Sequence, residues 1–380
     1  MSNASLPLRV LHVVGRMNRG GAETLIMNIY RNIDREKIQF DFAVNTFEKS
    51  HFDDEIVSLG GRIFGHPAPS EVGIKEYSKF FTSTLSEGGP FNAVHSHVHL
   101  FSGVILKLAA QNFVPVRIAH SHSPIMFNSK SFKRLFYYWL MRRNILNYST
   151  NLYGCSTDAI NALFGLRAIK NKNAKIFYNA VDINDFISQS SRAKTIREIL
   201  SLEENVPIVG HVGRFNQQKN HSFLIHIFNK LLKTLPSAQL VLIGDGPLKN
   251  DAEALVSALG ILNNVHFLGV RDDVPALMLG MDVFLFPSLY EGLPVVLVEA
   301  QAAGLACVAS DSITREADLH SGLVTFVGLL ESEQNWVKEV IKGISIPKKS
   351  IKENHRFLVK AGFDLVEIVN KIEKVYSFAG

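Results

Sequence analysis

Apolar positions along this chain come in short runs, and each run gives way to a turn and then to a segment of helical spacing. Residues 8–14 form a strand-like run that closes on Gly15; past the loop Arg16-Met17-Asn18-Arg19-Gly20-Gly21 a helical pattern occupies about 22–32. Further strands are predicted at 39–44, 62–65, 93–95, 114–119, 151–154 and 175–177, separated by helix-length segments. That alternation predicts an open parallel sheet with helices on both faces.

The pattern then restarts. Residues 187–205 carry Ser, Arg, Lys and Glu without strand spacing, and a new apolar strand begins at 206–213. A helix follows at 221–235, then strands at 239–243, 265–268 and 282–287. Next comes a short, alanine-rich buried helix that opens with Pro294 and closes on Gly304, and helices are predicted at 331–342 and 363–376. The expected division is a first α/β domain over 5–190, a linker over 191–205, a second α/β domain over 206–360 and a terminal helical segment over 361–380.

With 380 residues, 47% of them hydrophobic and 20% charged, the chain can bury a core in each of two domains. No apolar run approaches the roughly 20 residues of a membrane helix, no charged-then-apolar leader precedes residue 8, and Ser2-Asn3-Ala4 reads as a cloning remnant, so a cytoplasmic protein is expected. Cys155 and Cys307 lie far apart in apolar runs and give no disulfide framework or thiolate metal site. The net charge of +5 favours an anionic partner without choosing among nucleic acid, anionic lipid and phosphorylated small molecules.

In such a fold ligands meet the chain just past the carboxyl ends of the strands, and several unusual residues fall there. Glu291 precedes the Gly292-Leu293-Pro294-Val295 helix start, whose free N–H groups suit a phosphate, and Glu299 is an acid on an otherwise apolar helix. A satisfied core acid and a solvated loop acid are the plain alternatives. Gly213-Arg214 and Lys219 place two cations five apart ahead of a helix, able to neutralise a diphosphate or simply to be solvated. Five histidines, His95, His97, His99, His120 and His122, gather near two strand ends; no Asp, Glu or Cys nearby completes a metal ligand set, so no metal is expected and loop or cap roles stay open. From Ser131 a basic, aromatic helix over 131–143 suits either a membrane surface or a core with a solvated edge.

Glu291 and Glu299, eight apart around Gly-Leu-Pro and an apolar helix, resemble the E-x7-E motif of retaining glycosyltransferases of family 4, the group 1 glycosyl transferases of the GT-B fold. The resemblance covers nearly the whole chain, with its specific motifs concentrated at 206–316. Gly213-Arg214 with Lys219 matches a G-R-x-x-x-x-K segment, and Gly244-Asp245-Gly246-Pro247 a G-x-G-P turn. Gly20-Gly21-Ala22-Glu23 and Pro115-Val116-Arg117-Ile118-Ala119-His120 are similar to motifs of the first domain, and Asn179-Ala180-Val181-Asp182 to its closing segment with Ala180 in place of the usual glycine. Val308 to Glu316 departs from the family's glycine-rich loop, which bears on sugar selectivity.

What the resemblance implies is two Rossmann-like domains facing each other across a cleft, with the last helix returning to the first domain. It implies His120, Glu291, Arg214 and Lys219 as the catalytic set, His97 on the acceptor side, and Gly20, Gly21, Gly213, Gly244, Gly246, Val270, Gly292, Leu293, Pro294, Val295 and Glu299 around the donor. The activity implied is metal-independent, retaining transfer from a nucleotide diphosphate sugar, a UDP-sugar as the commonest donor, with no further cofactor. The acceptor implied is a saccharide or lipid-linked sugar in exopolysaccharide or capsule assembly, at the inner face of the plasma membrane. Nucleic acid is not an expected partner. A nucleotide-sugar epimerase or hydrolase on the same fold, or a non-catalytic nucleotide-sugar-binding partner, is the alternative.

Overall fold

The computed structural model describes residues 6–123, 131–166, 168–169, 174–190 and 195–378. Residues 2–5, Pro124 and the 191–194 part of the expected linker lie outside these. The chain divides into two compact units, 1–180 with 365–380, and 181–364.

The first unit is built on seven parallel strands, β1 (Leu8–Val14), β2 (Ile38–Val44), β3 (Ile63–Gly65), β4 (Ala93–Ser96), β5 (Val116–Ser121), β6 (Asn151–Gly154) and β7 (Ala174–Ile176), in the order β3-β2-β1-β4-β5-β6-β7. Strands buried on both faces read as continuous apolar runs, and Val10, Leu11, Val13 and Val14 of β1 are all buried. One face packs on the helix Gly21–Asn32 and on the C-terminal helix Leu365–Tyr376, whose Leu365, Ile368, Val369, Ile372 and Tyr376 are buried there. The opposite face carries Leu11, Val13, Val94, Ala119 and Leu152, packed on the helices Ser102–Gln111 and Phe132–Tyr148 among others.

The second unit holds six parallel strands, β8 (Ile208–Val212), β9 (Gln239–Ile243), β10 (Val265–Gly269), β11 (Val283–Phe286), β12 (Ala306–Ser310) and β13 (Val324–Val327), in the order β10-β9-β8-β11-β12-β13. Both sheets reverse strand order beside their first strand, which is the doubly wound, Rossmann-like plan expected from the alternation.

Two differences from the sequence pattern have local causes. Residues 195–205 do not act as a linker: Ile196 is buried, and the Arg197 guanidinium donates to Asp282 Oδ2 at 2.9 Å and to the Val206 carbonyl at 2.7 Å, fastening the segment to the second unit. The division therefore falls at Ala180/Val181, where the Val181 N–H donates to the Phe363 carbonyl at 2.9 Å, beside the point at which the chain leaves the second unit. A further helix, absent from the predicted elements, spans Ile351–Ala361. Its signals are in the sequence: Ser350 and Glu353 form a capping box, and Gly362 closes it in the left-handed region at φ +85°.

Candidate functional site

In the second unit the loops after β8, β9 and β10 are stitched to one another by backbone. The Gly213 N–H donates to Ile243 O at 2.9 Å, Phe215 N–H to Asp245 O at 3.0 Å, and Gly244 N–H to Gly269 O at 2.8 Å. Gly244 takes φ +135°, and a Cβ there would run into the Gly213 carbonyl; one on Gly246 would lie 2.5 Å from the Phe215 carbonyl. These two positions accept no side chain. Gly244→Ala is expected to destabilise the second unit by about 2–3 kcal/mol, which urea unfolding would read; stability equal to the parent chain would contradict the close approach.

The loop after β8 is held by its own residues. Phe215 is fully buried with its ring stacked 4.0 Å from His221, and the Asn216 side chain accepts the Lys219 N–H at 3.1 Å. This aims Lys219 at the loop after β11. Its ammonium donates to Glu291 Oε1 at 2.7 Å and lies 4.7 Å from the Phe286 ring centre, while Gln218 Nε2 donates to Glu291 Oε2 at 2.8 Å. The pair is nearly sealed, with 15% of the Lys219 side chain and 8% of the Glu291 side chain exposed. Lys219 and Glu291, read from sequence as separate contacts to a diphosphate and a sugar, thus hold each other. Gln218 has no signal in the sequence, because a glutamine in a polar loop carries no pattern.

Arg214 stands apart. It is exposed, and no acid pairs with it among the described residues. Val270, 60% exposed, follows Gly269 at the end of β10, and its neighbour Arg271 is paired with Asp273 at 2.8 Å.

The predicted short helix is observed at Val295–Ala302, with Pro294 as its N-cap and no side chain capping its first turn, so the Gly292-Leu293-Pro294-Val295 segment leaves backbone N–H groups for a ligand. Gln301 is a structural polar group, donating to Leu297 O and Ala317 O and accepting the Leu319 N–H. Glu299 is different: its side-chain carboxyl makes no hydrogen bond among the described residues, and burial, with a smaller push from Asp185, raises its pKa to about 7. Near neutral pH it is poised between a donor and an acceptor of hydrogen bonds.

In the first unit Gly20 caps the helix Gly21–Asn32, and the Asn179 amide donates to the Gly21 carbonyl at 3.5 Å. His120 lies on β5 in a row of five imidazoles on one face at the carboxyl ends of β1, β4 and β5. His12 pairs across the sheet with His95, and His97 and His122 follow β4 and β5. His12 Nδ1 contacts His97 Nε2 at 3.1 Å, His97 Nδ1 contacts His122 Nε2 at 2.8 Å, and His95 Nε2 contacts His120 Nδ1 at 3.2 Å. Beneath them the buried Tyr376 hydroxyl of the C-terminal helix contacts His95 Nδ1 at 2.7 Å. Burial holds all five neutral, lowering His12 to about 3 and His122 to about 4 and the others well below the ordinary imidazole value, with neighbouring imidazoles adding to the effect on His95, His97 and His120. His99 is not part of this row; it begins a short turn at φ +48°. For His12 the only signal in the sequence is one histidine inside an apolar strand, which does not mark it as a member of the row.

Comparison with known proteins places this geometry. The family described as Glycosyl transferases group 1 matches residues 192–357, the segment that carries Arg214, Lys219, Glu291 and Glu299. EpsF of Bacillus subtilis (strain 168), by name a glycosyltransferase, is 38% identical over 98% of this chain and 97% of its own. An Escherichia coli enzyme named UDP-Gal:alpha-D-GlcNAc-diphosphoundecaprenol alpha-1,3-galactosyltransferase is 24% identical over 75% of each chain. Among solved structures, HepE of Anabaena in complex with UDP superposes with a TM-score of 0.74 at 20% identity, covering 98% of this chain and 99% of that one. The paired Rossmann-like sheets are those of the GT-B class, and with a near full-length relative at 38% identity the chain belongs to the glycosyl transferases group 1 family.

Proposed function

We propose that this glycosyltransferase is a retaining enzyme of family 4 that moves a sugar from a UDP-sugar to a saccharide or lipid-linked acceptor without a metal ion, in surface polysaccharide assembly. The observation that carries the reading is Arg214: an exposed guanidinium without an acid partner among the described residues, on a loop pinned by the buried Phe215. In transfer the bond between the sugar's anomeric carbon and the diphosphate breaks, and negative charge gathers on the leaving phosphate oxygens. Arg214, Lys219 and the backbone at Gly292–Val295 are placed to stabilise that charge electrostatically.

The turns at Gly213, Gly244 and Gly246 and the backbone at Val270 border the nucleotide in this reading, and Glu299 accepts the ribose hydroxyls when ionised. Glu291, oriented by Lys219 and Gln218, faces the transferred sugar. The first unit receives the acceptor beside His120. Because burial keeps His120 neutral and a weak base, it acts there as a hydrogen-bonding group.

The UDP complex of HepE and the names of the relatives support the donor and acceptor classes. The test is acceptor-dependent UDP release. Release that needs both a UDP-sugar and an added acceptor is the expected result; equal release without acceptor marks a hydrolase, sugar interconversion an epimerase, and no turnover a binding partner. A donor screen by thermal shift identifies the sugar first, since a ligand at about 100 Kd adds roughly 2.7 kcal/mol of stability.

Lipid-linked acceptors sit at a membrane, and no described helix is long and apolar enough to cross one. The helix Phe132–Tyr148 exposes Phe132, Leu135, Phe136 and Trp139 next to Lys133, Arg134 and Arg143. This face is read as resting on anionic lipid. The chain is expected to co-sediment with anionic vesicles at low salt and to lose that binding in a Phe132→Ser, Trp139→Ser variant; a wild-type chain left in the supernatant would refute the assignment.

A further inference from the structure

The histidine row has a division of labour that sugar transfer does not require. We propose that His97, His120 and His122 form a binding site for one divalent transition-metal ion of the zinc type, with His12 and His95 as a supporting layer beneath. The charge stabilisation proposed above rests on groups of the second unit and does not use this ion, and an ion on His120 Nε2 would take the place of the hydrogen bond proposed there to the acceptor.

Three observations carry this. Donor nitrogens of His97, His120 and His122 all lie within 4.8 Å of one another. His97 Nδ1 and His122 Nε2 are already 2.8 Å apart, and His120 Nε2 is buried without a hydrogen bond of good geometry, in a residue only 1% exposed whose ring also feels the Phe177 backbone. Zinc bonded to imidazole at about 2.0–2.1 Å in a tetrahedron separates its ligand atoms by about 3.3–3.4 Å, so His97 and His122 must part by about half an ångström and all three rings must close on one point.

The remaining ring nitrogens of His97 and His120 are engaged as a metal site needs them, while His122 Nδ1 is buried without a partner. With Nδ1 on the ion, His97 donates its Nε2 proton to His12 Nδ1 at 3.1 Å. With Nε2 on the ion, His120 donates its Nδ1 proton to His95 Nε2 at 3.2 Å, and His95 in turn donates from Nδ1 to the Tyr376 hydroxyl oxygen at 2.7 Å. A ligating histidine whose second nitrogen is hydrogen-bonded is fixed in tautomer and orientation. This layer runs from β1 and β4 down to the C-terminal helix, so the ligands are held by three strands and a helix.

His12, His95 and His97 offer a second triad of similar spacing. It is the weaker one, because both nitrogens of His95 are committed and His12 is sealed at 1% exposure. His97 and His122 are only partly buried, which leaves a route in for the ion and an open fourth position. Neutral imidazoles without a carboxylate select zinc, copper, nickel or cobalt over magnesium and calcium.

The experiment uses tag-free, chelator-stripped full-length protein titrated with zinc chloride by calorimetry and with cobalt(II) by visible absorption. One saturable equivalent and a cobalt band of tetrahedral intensity are expected. The His97→Ala, His122→Ala double variant should lose both, His12→Gln should bind about 10–100-fold more weakly, and His320→Ala, at an exposed histidine, should bind as the parent does. Absence of saturable zinc binding in the parent chain, or full retention in the double variant, overturns the proposal. Should the double variant fail to fold, X-ray absorption on the zinc-loaded parent decides: three imidazole nitrogens support the site, and any sulfur or mainly oxygen shell refutes it.

Discussion

An Arg214→Ala chain is expected to transfer sugar with a kcat about 10²–10³-fold lower while melting at the parent temperature. The two halves of that expectation have separate causes. Arg214 is exposed and makes no ion pair among the described residues, so its removal takes nothing from the folded state. The loop that carries it is fixed by the fully buried Phe215 and by the hydrogen bond from the Phe215 N–H to Asp245, so the guanidinium is held near where the diphosphate is expected before any charge develops. Lys219→Ala should behave differently. It leaves Glu291 buried with only Gln218 as a partner, and about 2–3 kcal/mol of stability should go along with the turnover. Steady-state kinetics beside thermal melts separate the two variants; an Arg214→Ala enzyme with unchanged kcat would remove the electrostatic role assigned to it.

Mild acid should destabilise the metal-free protein through its buried imidazoles, above the ordinary carboxylate range. His12 is lowered to about 3, and His66 and His221 to about 4, in each case by burial. A histidine whose folded pKa is depressed contributes stability that is fully present above its unfolded value of 6.5 and is lost as pH falls from there toward the folded value, because the unfolded chain binds the proton first. At about pH 5 each of the three costs roughly 2 kcal/mol relative to neutral pH, and their sum is comparable with the whole stability of an ordinary domain. His221, whose two ring nitrogens have no partner and whose ring is stacked on Phe215, gives the clearest control. Urea midpoints at about pH 7 and pH 5 should diverge sharply in the parent and less in His221→Phe; equal midpoints in the parent would show that these imidazoles are protonated in the native state.

Much of the fold is legible in the order of residues alone. The apolar runs at 8–14, 151–154 and 239–243 coincide with β1, β6 and β9, because a strand of a parallel sheet buried on both faces reads as a near-continuous apolar run. β12 and β13 are harder to read. β13 is an edge strand in which Val324, Thr325 and Phe326 are only partly buried, so its pattern is too weak to separate from a loop. The 195–205 segment misleads for a related reason: its polar composition reads as a linker, and only the long-range pairing of Arg197 with Asp282 shows that it is anchored.

The sequence by itself determined the parallel-sheet class, the two-part division and the residue types of the candidate site, since apolar periodicity and turn chemistry are local properties written in consecutive residues. Tertiary structure decided which of those residues meet. Lys219 and Glu291, 72 positions apart, form one pair, while Arg214, five residues from Lys219, remains exposed. It also drew His12 on β1 and Tyr376 on the last helix to the histidines of β4 and β5. The reason is that strand order in a doubly wound sheet differs from chain order, so the neighbours of a strand's carboxyl end come from segments that no local pattern connects.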